Sequence, residues 1–103
     1  MKNVLDLQKM MKTAKEMQER LQQELSALRV EGSSGGGMVT LVLDGHKHVQ
    51  AIRIEPDVVD PKDVEMLQDL ILAAFNDARA KVDEALAQKL GGLGGGLKLP
   101  GLF

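Results

Sequence analysis

A chain of 103 residues has room for one small domain, which buries a modest fraction of its surface and has little stability to spare. It contains no cysteine, which excludes disulfides, thiolate metal sites and a thiol nucleophile and suits a reducing cytoplasm. Its formal charge of −2 excludes a global attraction to nucleic acid, so any such binding must come from local clusters. Because Phe75 and Phe103 are the only aromatics, the core falls to Leu, Val, Ile, Ala and Met, a composition that suits helix packing.

From Asn3 to about Leu28 the stripe Leu7, Met10, Ala14, Met17, Leu21, Leu25 and Leu28 recurs by threes and fours, with no Gly or Pro to interrupt it. At 1.5 Å per residue such a helix is roughly 35 to 40 Å long, longer than a domain of this size is wide. Part of it must project or find a partner. The stripe is a coiled-coil-like seam, open to packing against the rest of the chain or against a second copy, and Glu16 to Arg20 is a favourable i,i+4 pair on the outer face. Lys9, Lys12 and Lys15 break any apolar run near the N-terminus, and no stretch approaches the roughly 20 apolar residues of a membrane span. The expectation is a soluble, cytoplasmic protein with no membrane partner.

Arg29 to Gly32 reads as extended, and Met38 to Leu43 as a strand with Val39, Leu41 and Leu43 on one face and Met38, Thr40 and Val42 on the other, both apolar enough to be covered. Asp44-Gly45 supplies the pair favoured at a tight hairpin turn, where both positions need positive φ. His48 to Glu55 follows as the return strand, giving a three-stranded antiparallel meander. A second helix is announced by Asp60 as N-cap, Pro61 at the first helical position and Asp63 in the first turn. Its stripe of Val64, Leu67, Ile71, Ala74, Phe75, Ala78, Val82, Ala85 and Leu86 should cover the sheet, and Gly91-Gly92 should stop it near Leu90. The fold class is α+β, with one domain over residues 1–90. Residues 91–103 form a Gly/Leu-rich tail with too few bulky side chains to offset chain entropy, expected to be flexible. Its Leu97, Leu99, Leu102 and Phe103 could instead dock on a partner.

Three chemistries are weighed against this frame. A phosphate-binding loop needs G-x-x-x-x-G-K-[ST] leading into a helix. Gly32 to Gly37 has the spacing, but Met38-Val39 stand where Lys and Ser/Thr belong and a strand follows, so the segment reads as a connection between strands. His46 and His48 lie two apart beside the turn, and two imidazoles alone do not make a metal site. Between Asp57 and Glu84 the acids are explained by capping or alternate with Lys and Arg on solvated helix positions, and Ser26, Ser33 and Ser34 have no base beside them. A non-enzyme without cofactor, metal or small-molecule substrate is the expectation. The weaker enzymatic alternative rests on His46 and His48.

Charge asymmetry is the remaining feature with functional content. In residues 1–15 Lys2, Lys9, Lys12 and Lys15 face only Asp6, whereas Lys62, Arg79, Lys81 and Lys89 lie among the acids of residues 57–90. On a helical projection Lys12 lies opposite the Leu/Met stripe, with Lys2, Lys9, Lys15 and Arg20 on its flanks. Such a surface suits phosphates, although charge alone favours the plainer reading of a solvated helix face.

The order of elements, together with "VEGSSGGGMVTLVLDG", "VEMLQDLILAAFNDARAKVDE" and the Gly/Leu/Pro tail, resembles the YbaB/EbfC family of bacterial nucleoid-associated proteins over nearly the full chain. The most specific stretches are Val30-Glu31-Gly32 with the glycine loop, and Leu70 to Ala78. The resemblance implies an α-β-β-β-α protomer in a two-fold homodimer with protruding helices, resident in the cytoplasm at the nucleoid, with a possible role in nucleoid organisation and gene regulation. It also implies duplex DNA binding, which by position points to Lys9, Lys12, Lys15 and Arg20 on the first helix and Arg79, Lys81 and Lys89 on the second, where Asp77, Asp83 and Glu84 sit among the bases. Lysines acting as point charges favour phosphate contact over base reading, and the scarcity of aromatics favours duplex over single strands. The alternative is a dimeric protein-interaction scaffold without direct DNA binding, which the acidic total charge, the seam and the leucine-bearing tail would equally serve.

Overall fold

The structure, a computed structural model, describes residues 2–94, with side-chain surroundings for residues 3–91. Helix α1 (Lys2–Ala27) leads into strands β1 (Val30–Ser34), β2 (Val39–Leu43) and β3 (Val49–Ile54), then a 3-10 turn at Pro56–Val58 and helix α2 (Val64–Gly94). The strands form an antiparallel meander in the order β1-β2-β3. This is the α-β-β-β-α order expected of the chain.

Alternation along β2 sets the layers. Gly32, Leu41 and Ile52 are paired across the three strands, and this row faces α2, where Val39, Leu41 and Leu43 are buried with Ala74, Ala78 and Val82. Val58 from the 3-10 turn closes the same core. The other face carries Glu31, Ser33, Thr40, Val42, Ala51 and Arg53, and no helix covers it among the described residues. Thr40 is still buried in the central strand, while Arg53 reaches to 3.9 Å from Glu31 above that face.

Small residues set the helix–sheet distance. A Cβ on Gly32 would stand 2.2 Å from the Ala78 amide nitrogen and 2.6 Å from the Ala74 carbonyl oxygen, so only glycine lets β1 come this close to α2. One residue on, the Ser33 amide donates to Asp77 Oδ2 at 2.9 Å, and the Ser34 hydroxyl donates to the Leu70 carbonyl. The glycines that follow have a different duty: Gly35, Gly36 and Gly37 all take positive φ in the β1–β2 turn, closed by the Gly37 amide on the Ser34 carbonyl at 3.1 Å.

Three local readings need correction. The β2–β3 turn is not a two-residue Asp-Gly turn, because Lys47, at φ 66°, is the residue with positive φ there. The loop has three residues, with the Lys47 amide on the Asp44 carbonyl at 3.1 Å and the Asp44 amide on the His48 carbonyl at 3.0 Å, the usual pattern of a type I turn followed by a left-handed residue. Gly45 is needed for proximity instead, since a Cβ there would lie 2.7 Å from the Leu25 carbonyl oxygen. The second helix starts at Val64, not at Pro61. Asp60 accepts the Lys62 amide in a preceding turn at 2.9 Å, and Asp63 is the N-cap, its Oδ1 accepting the Met66 amide at 3.2 Å. At its far end α2 runs through Gly91-Gly92 to Gly94, past the expected stop at Leu90. Leu97, Leu99, Leu102 and Phe103 lie outside the described residues.

Candidate nucleic-acid interface

Lys, Glu, Gln, Met and Leu, none of them β-branched, dominate α1, and these lose little rotamer freedom in a helix. Every residue from Asn3 to Arg20 is exposed, and burial begins only at Leu21, Leu25 and Leu28, each half-buried. Met10 is 68% and Met17 61% exposed, so the outer part of the stripe, Leu7 to Met17, does not pack on the rest of its own protomer. The inner part roots the helix. At this root the Leu25 carbonyl accepts the Gly45 amide at 2.8 Å, and Glu24 pairs with Lys89 of α2 at 3.4 Å.

The positions named for DNA contact divide into two groups. Lys9, Lys12, Lys15 and Arg20 are exposed along the projecting part of α1, and none of them is within ion-pair distance of a carboxylate among the described residues. The predicted Glu16–Arg20 pair is thus not made. An exposed pair of this kind contributes only about 0.3–0.5 kcal/mol, which is readily outweighed by side-chain entropy. On α2, by contrast, Lys81 sits 3.1 Å from Asp77 and Lys89 is engaged with Glu24. Arg79 is exposed and unpaired among the described residues. Asp77 has a structural task as well: the Ser33 amide, then the Lys81 ammonium, hold its carboxyl below the usual carboxylate range.

The spacing of Asp77 and Lys81 made their pairing readable from sequence. The bonds of Lys89 to Glu24 and of Lys47 to Asp83, at 2.6 Å, join residues far apart in the chain and left no local signal.

The other candidate chemistries are poorly placed. His46 and His48 have ring centroids 5.8 Å apart, and Asp44, the nearest carboxylate in sequence, is engaged by the turn. Its Oδ1 accepts the His46 and His48 amides at 2.8 and 3.0 Å, and its Oδ2 accepts Gln50 at 3.1 Å. The His48 amide above all, helped by that of His46 and opposed by burial, keeps this carboxyl below its ordinary range. No group of three potential metal ligands is found among the described residues. Nor does any described helix have the length and apolarity to cross a membrane. The glycine turn Gly35–Gly37 leads into β2 and not into a helix.

Comparison with known proteins agrees with this architecture. A nucleoid-associated protein of Rhodospirillum rubrum is 51% identical over 94 residues, spanning 88% of each chain. One from Pelotomaculum thermopropionicum is 48% identical over 101 residues, covering 95% of this chain and 96% of that one. The fold matches the crystal structure of an uncharacterised Helicobacter pylori protein with a TM-score of 0.70 at 24% identity, over 85% of this chain and 94% of the other. The sequence model of the YbaB/EbfC DNA-binding family matches residues 1–97. The chain belongs to that family, whose members are nucleoid-associated DNA-binding proteins of bacteria.

Proposed function

We propose that the chain binds duplex DNA as a homodimer, gripping phosphates with the projecting part of α1, and that it works at the nucleoid in the cytoplasm as an organising and regulatory protein, not an enzyme. It needs no cofactor, small-molecule substrate or membrane in this reading. The observation that carries it is the contrast in charge pairing: Lys9, Lys12, Lys15 and Arg20 are exposed without carboxylate partners among the described residues, while Lys81 and Lys89 are paired. Unpaired ammonium groups on a projecting helix can neutralise phosphates without first breaking a bond within the protein. Arg79 joins them, and Lys81 and Lys89 contribute at the margin.

The homodimer is supported by apolar surface that a lone protomer leaves wet. Val49, Ile52 and Leu72 are 53%, 47% and 60% exposed and line one groove with Leu41, Ile71 and Phe75, beside the free edge of β3. A patch of this kind beside an unpaired strand edge marks an association surface. Two-fold pairing duplicates each basic cluster, so modest local charge becomes two phosphate-binding arms with a gain in avidity. The exposed Leu7, Met10 and Met17 favour a second reading, a scaffold on which a protein helix docks.

Binding of labelled duplex DNA at several salt concentrations separates the two. The log–log slope should be about −0.9 per phosphate contact, or roughly −5 if three lysines from each of two protomers engage. The variant Lys9→Glu/Lys12→Glu/Lys15→Glu, checked as a folded dimer by circular dichroism and sedimentation, should lose that binding. Absence of binding at low salt by the folded, dimeric parent would favour the scaffold.

A further inference from the structure

We propose that the β2–β3 turn, Asp44 to His48, is a clamp that sets the direction of the α1 arm; its consequence for DNA rests on the reading of α1 as a phosphate-binding arm. The carbonyl of Leu25 is one of the last four of α1, which have no partner within the helix. It accepts the Leu28 amide at 3.3 Å and, at the shorter 2.8 Å, the Gly45 amide. The turn thus supplies a C-cap from a distant part of the chain.

The same turn is fastened to α2. Lys47 holds a left-handed backbone, φ 66°, that a lysine rarely adopts, and its ammonium lies 2.6 Å from Asp83. Asp44, buried, braces the loop from within through the His46 and His48 amides. A short chain of contacts therefore runs from α2 through Asp83, Lys47 and Gly45 to the root of α1, and Lys89–Glu24 closes it on the other side.

Leverage makes this root matter. From Leu25 to Lys9 the helix rises about 24 Å. In the variant Gly45→Ala the new Cβ would stand 2.7 Å from the Leu25 carbonyl oxygen and 2.8 Å from its Cα, and the root of α1 must retreat by a fraction of an ångström. A retreat of about 0.7 Å over one helical turn of about 5.4 Å tilts the arm by about 7°, which carries Lys9 through about 3 Å. That is close to the roughly 3.4 Å axial spacing of phosphates along one strand.

The chain has no cysteine, so spin labels can be placed at Thr13→Cys on the arm and Glu65→Cys on α2 in otherwise native protein. Labelled protein diluted into excess unlabelled protein reports the distance within one chain. Thr13 stands about 18 Å up the helix from Leu25, so we expect Gly45→Ala to shift that distance by about 2 Å, and Lys47→Gly to broaden its distribution even though glycine suits the backbone there. Lys47→Met, which keeps an L side chain but faces Asp83 with no cation, should broaden the distribution, while Lys47→Arg should keep the parental one; a role of Lys47 in backbone shape alone would leave both parental. The disturbed variants should bind duplex DNA more weakly by about tenfold.

Unchanged distance distributions in Gly45→Ala and Lys47→Gly, both folded by circular dichroism, would overturn the clamp. A shifted arm together with undiminished DNA binding would uphold the clamp and count against the DNA reading. The Lys9→Glu/Lys12→Glu/Lys15→Glu variant tests that reading separately, since it should abolish DNA binding while leaving the arm distance unchanged.

Discussion

Replacing Gly32 with alanine places a methyl group where there is backbone. The added Cβ would meet the Ala78 amide nitrogen at 2.2 Å and the Ala78 Cα and Ala74 carbonyl oxygen at 2.6 Å, against about 3.4 Å for an unstrained contact. No rotamer change can relieve this, because every atom met belongs to the main chain of α2. The helix must lift from β1 by about 1.2 Å, opening the seam where Ala74, Ala78 and Val82 pack on Val39, Leu41 and Leu43. Gaps of 0.5–1 Å forfeit a quarter to a half of the dispersion energy at each contact, and overpacked core substitutions cost typically 1–3 kcal/mol. We expect the upper end, about 3 kcal/mol, a large share of the 5–15 kcal/mol that holds a domain together. At 4–8 °C per kcal/mol the midpoint should fall by about 12–24 °C. Thermal and urea melts followed by circular dichroism at one protein concentration measure it. Gly36→Ala is the control: nothing lies within 4 Å of a Cβ there, and only the positive φ of 67° is penalised, at about 1–2 kcal/mol. If Gly32→Ala loses no more stability than Gly36→Ala, close approach is not what glycine provides at position 32.

Removing the cap in Asp63→Ala should cost about 1 kcal/mol in urea melts, whereas Pro61→Ala should leave α2 intact; the reverse order would return the helix start to Pro61. The Ser33 amide and Lys81 lower the carboxyl of Asp77 from 3.8 in the folded state, so the folded protein binds its proton less readily than the unfolded chain. The stability this carboxylate contributes is complete above about pH 5 and declines as pH falls through the unfolded value and then the folded one. Urea melts of the parent and Asp77→Asn should therefore differ at pH 7 and converge on acidification toward pH 3; a constant gap would sever the link to ionisation.

The order of elements, the projecting first helix and the cover of the sheet by α2 were legible because each is written in periodicity and length. The overlong stripe from Leu7 to Leu28 had to leave a small domain, and it does. Where local signals were redundant, the reading chose wrongly: Asp60 and Asp63 are both competent caps, and only the path of the chain after the 3-10 turn decides between them. Gly45 shows another limit. Its identity suggested a positive φ, but the constraint is a helix end arriving from twenty residues away, which no local window contains. The same holds for the candidate interface. Lysine positions on α1 could be listed from sequence, but their lack of carboxylate partners among the described residues, and the capture of Lys89 by Glu24, depend on tertiary neighbours.

The outer turns of α1 have a thermodynamic consequence of their own. Residues 3–20 are all exposed in the protomer, and α1 has no acidic residue in its first turn, so its helicity there depends mainly on local propensity, which is marginal for an isolated helix. Lys9, Lys12 and Lys15 also repeat at i,i+3, where like charges repel across neighbouring turns. An anion seated on this face removes that repulsion while it forms its own contacts, so unwinding of the arm and occupancy of the arm are linked equilibria. Added salt then acts in two opposing directions, calming the lysines and tightening the helix while it weakens every phosphate contact the helix makes.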